Sequence, residues 1–448
     1  MTPALPASPL TRRHFIKTSA TAGAAFATAP YILRGAEPGK KFRTALIGSG
    51  WWGMNILREA LASGKCKATA LCDVDPKPLE VSADEVETIS GDKPKKYGDF
   101  RELLDKEKPE IVIVSTPDHW HALQAIAAVK AGAHVFLEKP TGHTIKESAA
   151  IVKAAKETGK VVQVGMHRRV GPHFVSGQKF LKDGGAGKIG MVRVFVHSAG
   201  GAEKASPNST PPKGLDWDMY CGPAPLRPFN TKIHPGGFRN FLDFANGTLG
   251  DWGVHWLDQV LWWTDEKYPK KVFSSGGRPI AGPAVLTDKE QTSDSPDHQT
   301  AVWEFESFTA TWEHRRFADN NAEKHKIGCY FYGTKGTFHM GWRDGWTFYP
   351  VDAKEKVVHE KSQLQDPDGH NLKLLWGDFL DGITRRKPPV ADIELAHRAT
   401  TTVLLGMLSY KLGRSVVWDG AKEQIVNDPA ASELLSRKYR GPWQYPTA

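Results

Sequence analysis

Residues 45–54 read ALIGSGWWGM, with three apolar residues running into Gly48, Gly50 and Gly53. The G-x-G-x-x-G spacing follows a strand-like run and opens a helix-like one. Gly48 permits a tight turn. Gly50 removes a side chain where a pyrophosphate must approach the backbone, and Gly53 lets helix and strand pack closely. The helix N-terminus then offers N–H groups to phosphate. Asp73 lies 20 residues beyond Gly53, at the end of a second apolar run, where a carboxylate accepts from ribose hydroxyls. It would repel a 2′-phosphate and no Arg follows it closely, so the expected cofactor is NAD rather than NADP.

The pattern continues outward from this loop. Apolar runs TALIG, KATALCD, EIVIVST, HVFLEK and VVQVG alternate with helical stretches, and a weaker strand is expected near KKYG. Continuous apolar runs suit strands covered on both faces. Alternating strands and helices predict a doubly wound parallel sheet over residues 40–165. After Gly165 the rhythm changes. Residues 200–240 are rich in Pro, Gly and aromatics and read as a long loop. DWGVHWLDQVLWW reads as a helix, followed by strand runs without intervening helices, so residues 166–448 are expected to form an α/β domain with a mostly antiparallel sheet. Two closing helices are expected to pack back on the first domain.

The chain has 448 residues and a net charge of +9. Seven cations against Glu37 alone place +6 of that charge in residues 1–43, so it is no argument for a nucleic-acid partner. TRRHFIK (Thr11–Lys17) matches a twin-arginine export motif and precedes a short Ala-rich stretch too brief to span a membrane. Residues 1–39 are therefore read as a signal peptide and linker, with a periplasmic or otherwise exported protein and the twin-arginine machinery as a partner. Four cysteines include no C-x-x-C pair, and no metal site is expected. Cys66 and Cys72 flank a strand whose length, roughly 20 Å, exceeds disulfide reach.

Two further motifs carry chemistry. FLEKP places Glu138, Lys139 and Pro140 at the carboxyl end of the fifth strand, the ligand-binding edge of such sheets. LGDWGVHWLD spaces Asp251 and His255 four apart, on one helical face. Oxidising an alcohol needs a base for the hydroxyl proton while hydride leaves for the cofactor. Lys139, Asp251 and His255 form a candidate relay, with His255 the base and Asp251 orienting it. Taken singly, they also read as a solvated strand-end lysine, a helix cap and a core histidine. Trp51, Trp52, Thr116, Pro117, His119, His121, Glu138 and Lys139 join the glycines and Asp73 as cofactor-binding candidates. The pair His119 and His121 lacks a third metal ligand, which favours a cofactor-side contact. Arg168, His234 and Arg239 are candidate substrate contacts.

GSGWWG, CDVDP, STPDHWH, EKP, GDWGVH and KPPVADIELAHRAT, in this order, resemble the Gfo/Idh/MocA oxidoreductases from about residue 42 onward. The resemblance implies a Rossmann domain and a C-terminal α/β domain whose open sheet often mediates homo-oligomers. It also implies NAD(P)-dependent chemistry on the CH–OH groups of sugars, polyols or sugar derivatives, with Lys139, Asp251 and His255 matching the catalytic set. Relatives often carry Tyr where this chain has Phe244. Soluble NAD is expected to be scarce outside the cytoplasm, so an exported enzyme must keep its cofactor and restore it in place. It can oxidise one sugar and reduce another, or oxidise, break a glycosidic bond and reduce again with no net redox change. The first course is the leading expectation. A redox-neutral glycosidase or lyase working through a keto-sugar is the alternative.

Overall fold

A computed structural model describes residues 39–447, Asn321 and Gln365 excepted. The twin-arginine motif and its Ala-rich stretch lie outside the described residues. Six parallel strands form the first sheet: β1 (Phe42–Ile47), β2 (Cys66–Cys72), β3 (Lys95–Tyr97), β4 (Ile111–Val114), β5 (His134–Leu137) and β6 (Val162–Val164). Their order is β3-β2-β1-β4-β5-β6. Strand order reverses between β1 and β4, and a ligand crevice opens at that switch point. Leu46 pairs with Leu71 on one side and Ile113 on the other, both wholly buried, as expected of strands covered on two faces. The crossovers are α1 (Trp51–Ala62), α2 (Pro76–Ser90), α3 (Phe100–Glu107), α4 (His121–Lys130) and α5 (Ile145–Thr158). Local signals set their ends. Asp75 and Asp99 cap α2 and α3, and Thr144 with Glu147 forms a reciprocal capping box on α5.

After α6 (Pro172–Lys182), β7 (Ile189–His197) enters a second, ten-stranded sheet. Its other members are β9 (Lys271–Gly277), β11 (His298–Glu304), β12 (Thr309–Arg315), β13 (Ile327–Gly333), β14 (Gly336–Gly341), β15 (Trp346–Pro350), β16 (Val358–Glu360), β17 (Val416–Asp419) and β18 (Gln424–Ile425), while β8 (Ser206–Pro207) and β10 (Glu290–Gln291) make a small separate ladder. Among the described residues of this sheet only β7 and β12 pair in parallel. Along β12, Ala310, Trp312 and His314 are buried and alternate with half-exposed residues, so the sheet is covered on one face. That face carries α8 (Val254–Thr264) and α10 (Ile393–Leu412). The Trp303 indole donates to the Thr402 carbonyl at 2.9 Å, seating α10 on the strands.

The stretch read as a long loop does more than connect. It contains α7 (Trp217–Cys221) and builds its own core from Trp217, Tyr220, Phe229, Phe238, Phe241 and Phe244, packed against Val74 beyond β2. The closing helices, α9 (Pro367–Arg385) and α10, pack on the first sheet. Val164 N–H donates to the Ala391 carbonyl at 2.9 Å, and Ser148 Oγ meets His397 Nδ1 at 2.7 Å. A tail with α11 (Pro429–Glu433) follows, and its Arg437 and Tyr439 both bind Glu147, which is fully buried.

Candidate active site

The glycine loop is shaped by what its neighbours exclude. Gly48 has φ +89°, and a Cβ there would lie 2.6 Å from the Ser115 carbonyl oxygen. A Cβ on Gly53 would lie 2.2 Å from the Gly48 carbonyl. Gly50 differs, because nothing lies within 4 Å of its Cβ position. Its missing side chain serves no internal contact and opens the approach to the N-terminus of α1. That first turn has no side-chain cap and no acidic residue, so its N–H groups are available to an anion. Asp73 follows β2 directly. Its carboxylate accepts from Ser49 N–H at 2.8 Å and Asp75 N–H at 3.0 Å. Burial raises its pKa to about 6, with those N–H groups opposing. An uncapped helix start, an open Gly50 and a carboxylate 24 residues from Ser49 that ties β2 to the loop together fit a dinucleotide.

At the end of β5 the second cluster assembles. Lys139 Nζ lies 2.5 Å from Asp251 Oδ1 and 3.1 Å from the Asp251 carbonyl. Arg239 Nε approaches the same Oδ1 at 3.2 Å. Burial opposes ionisation of Asp251, but Lys139 and Arg239 outweigh it and bring the pKa down to about 2. Asp251 sits in a π-helical turn, Leu249–Gly253, that leads into α8. Such wide turns recur at functional sites, and here the turn feeds a carbonyl as well as a carboxylate to the lysine. His255 stands one turn further on. Burial, then Lys139 and Arg168, push its pKa well below the usual value, so its imidazole is neutral. Its Nδ1 is buried without a partner. Among the described residues no hydrogen bond joins Asp251 to His255. Asp251 orients Lys139 rather than the histidine, a change from the sequence-based expectation, because the carboxylate is already held by two cations.

Three groups complete the cluster. Glu138 is 5% exposed with Oε1 unpartnered. Burial raises its pKa to about 6 against Lys139 and the Trp52 indole. His167 places its ring 5.2 Å from that of His255, edge-on. Asp118, on the turn after β4, is 6% exposed, and burial lifts its pKa to about 7 against the pull of Lys139 and Arg239. Asp118 and His167 were missed in the sequence. Asp118 had a signal, since it sits at the carboxyl end of a parallel strand in the same motif as His119 and His121.

The other candidates fall in different places. Trp51 is three-quarters exposed at the start of α1, and Trp52 is half-buried beside it. Thr116 donates to Gln124 at 2.6 Å. Pro117 starts the turn that carries Asp118. His119 is wholly buried, its Nε2 2.9 Å from the Tyr220 carbonyl and its ring against Phe244. It pins the aromatic loop to the turn after β4 and presents no surface to a cofactor, which corrects its assignment as a contact. His121 is also buried, with ring nitrogens 2.7 Å from the Pro140 carbonyl and 2.8 Å from the Thr116 carbonyl. It braces the β4 and β5 ends from beneath rather than touching a ligand. His234 faces Asp75 at 3.5 Å, on the Asp73 side of the crevice, and not Lys139. Arg239 does join the cluster, through Asp251. Arg168 is buried over the Trp256 ring at 4.2 Å.

This geometry can be set beside known proteins. The profile of the Gfo/Idh/MocA oxidoreductase family with the NAD-binding Rossmann fold matches residues 42–166, and that of the family's C-terminal alpha/beta domain matches residues 190–279 and 291–445. The chain belongs to the Gfo/Idh/MocA oxidoreductase family. Among curated relatives, a glycosyl hydrolase family 109 protein of Shewanella pealeana is 32% identical over 173 residues, 34% of this chain and 38% of the relative. Levoglucosan dehydrogenase of Pseudarthrobacter phenanthrenivorans is 30% identical over 194 residues, 41% of this chain and 43% of the relative. Each match therefore spans about two-fifths of the relative's length. A solved structure of levoglucosan dehydrogenase with NADH and levoglucosan aligns with TM-score 0.66 and 20% identity, covering 84% of this chain and 99% of that one. The alignment establishes the shared fold.

Proposed function

We propose that this chain is an exported NAD-dependent oxidoreductase that acts on a sugar, polyol or sugar derivative. The observation that carries the reading is the 2.5 Å contact of Lys139 with Asp251, which joins residues 112 apart at the carboxyl edge of the Rossmann sheet. NAD, when bound, would supply the acceptor for the hydride of the carbinol carbon. Gly50 and the start of α1 would hold its pyrophosphate, and Asp73 its ribose. The substrate hydroxyl would lie between Lys139 and His255. Lys139 donates to the reacting oxygen, while neutral His255 takes the hydroxyl proton, so that C–H and O–H are lost together and a carbonyl forms. Asp251 fixes the direction of the ammonium and Arg239 fixes Asp251. Glu138 lies against the Lys139 backbone and holds the turn.

A second reading is a redox-neutral glycosidase or lyase that runs through a keto-sugar. It is favoured by the likeness to glycosyl hydrolase family 109 proteins, two of which are 32% and 36% identical over about a third of this chain. The test is to purify the protein, identify the nucleotide it releases on denaturation, and incubate it with free sugars and aryl glycosides. Oxidised sugar with a second carbonyl acceptor reduced supports the first reading. Aglycone release without net NADH supports the second, and neither product contradicts both. Homo-oligomerisation through the open sheet face belongs to the same proposal on family likeness. Light scattering tests it, with a mass of 49.4 kDa, the unprocessed monomer, or slightly less contradicting it.

A further inference from the structure

Behind His255 lies a cation with no hydrogen-bond acceptor among the described residues. Arg168 follows His167 on the 3₁₀ turn His167–Val170 and is 2% exposed. Its guanidinium lies 4.2 Å over Trp256 and 5.8 Å from Phe174, yet neither Nε nor Nη1 has a hydrogen-bond partner. The nearby carboxylates are engaged elsewhere. Arg169 makes three bonds of 2.7–3.0 Å to Asp258. Asp368 accepts from the Trp342 indole at 3.1 Å and faces His167 at 3.7 Å. Stacking on an indole offsets only part of the cost of desolvating a guanidinium, and buried donors in native proteins are nearly always matched.

Arg168 is not alone. Asn371, at the start of α9, has both side-chain polar atoms buried and unpartnered, as has His173 its Nε2. The three converge. Asn371 Nδ2 lies 2.9 Å from where a Cβ on Gly171 would be, and the His173 ring is 4.1 Å from that of Phe174, which flanks Arg168. His167, whose own Nδ1 is also unpartnered, links this cluster to the His255 ring at 5.2 Å. Burial keeps His167, His173 and His255 neutral, so Arg168 supplies the positive charge.

We propose that Arg168, with Asn371 and His173, receives the carboxylate of an acidic sugar whose reacting carbinol lies at Lys139 and His255. The inference rests on the sugar oxidoreductase reading and narrows its substrate class. A planar, permanently charged guanidinium matches a carboxylate better than a single hydroxyl, and an amide beside it can donate to the second oxygen. Asp251 and Asp258 are already neutralised by Lys139 and Arg169, so an added anion meets uncompensated charge.

The test uses the purified protein with its bound nucleotide. Trp256 lies under the guanidinium, so intrinsic tryptophan fluorescence and the thermal midpoint are followed against sodium acetate, sodium D-glucuronate and D-glucose, with chloride holding ionic strength constant. The expected result is a saturable response to acetate and a tighter one to D-glucuronate than to D-glucose. Arg168→Met should weaken both carboxylates at least tenfold with nucleotide content unchanged, and Arg168→Lys should lie between. A parent protein with no saturable carboxylate response overturns the inference, as does an Arg168→Met variant that binds both carboxylates like the parent. Should Arg168→Met fail to fold, the parent titration and Arg168→Lys still decide. Retained nucleotide and oxidation of neutral sugars alone would sink this inference and leave the oxidoreductase reading standing. Carboxylate binding by a protein that holds no nucleotide would sink the oxidoreductase reading and the claim about the reacting carbinol with it, and leave only an anion subsite at Arg168.

Discussion

In the proposed mechanism Lys139 and His255 act on one oxygen, so their losses should not multiply. Each alanine variant should lose about 10²–10⁴-fold in turnover while keeping its NAD. The double variant should be little worse than either single one, because residues of one relay are non-additive. Steady-state rates with nucleotide content measured in parallel check this, and multiplying losses would assign the two residues to separate steps. Asp73→Ala should weaken NAD binding by about 1.5–3 kcal/mol and relax discrimination against NADP, measured by fluorescence titration. Asp118 offers a pH test. Its carboxyl titrates near pH 7 in the folded chain against an ordinary 3.8, so the folded state binds more protons between those values. Stability contributed by the neutral form is complete below about pH 4 and is lost as pH rises through about 7. Asp118→Asn should therefore raise the thermal midpoint at pH 8 by about 2–4 °C and give no gain at pH 4. An equal gain at both would place the effect in packing.

At the scale of elements, the glycine loop separates folding from binding. Gly50→Ala meets open space and extended backbone that any residue adopts (φ −73°), so its thermal midpoint should match the parent's while NAD affinity falls at least tenfold. Gly53→Ala drives a Cβ into the Gly48 carbonyl and should cost about 1–3 kcal/mol of stability. Denaturant unfolding and NAD titration of the two variants read the difference. The strands that flank this loop were legible because parallel strands buried on both faces leave continuous apolar runs and set Asp73 and Glu138 at one edge. The aromatic loop was not. Its order comes from Trp217, Tyr220 and Phe229 packing on one another, and that packing has no period in sequence. For the same reason Arg239 was legible as a polar loop residue, but its pairing with Asp251 was not. His119 misled because a histidine at a strand end reads the same whether it faces a ligand or, as here, a backbone carbonyl.

For the whole molecule, α9, α10 and the tail bind both sheets, so the relay is held by segments distant in sequence. We propose that export depends on residues 1–39 and is separable from folding. Arg12→Lys with Arg13→Lys should leave the protein folded and confine it to the cytoplasm, read by cell fractionation; export at the parent's efficiency would remove the leader from the proposal. The central proposal is that His255 takes a substrate proton beside Lys139, whose ammonium Asp251 directs, while NAD held by the same chain takes the hydride. Its most direct test is absorbance at about 340 nm after mixing the nucleotide-loaded protein, parent or Lys139→Ala, with the sugar that the parent oxidises best in the panel. The account predicts a rise in the parent within one turnover and, at equal nucleotide content, a rise slowed about 10²–10⁴-fold in the variant. A variant that reduces its nucleotide at the parent's rate would contradict it.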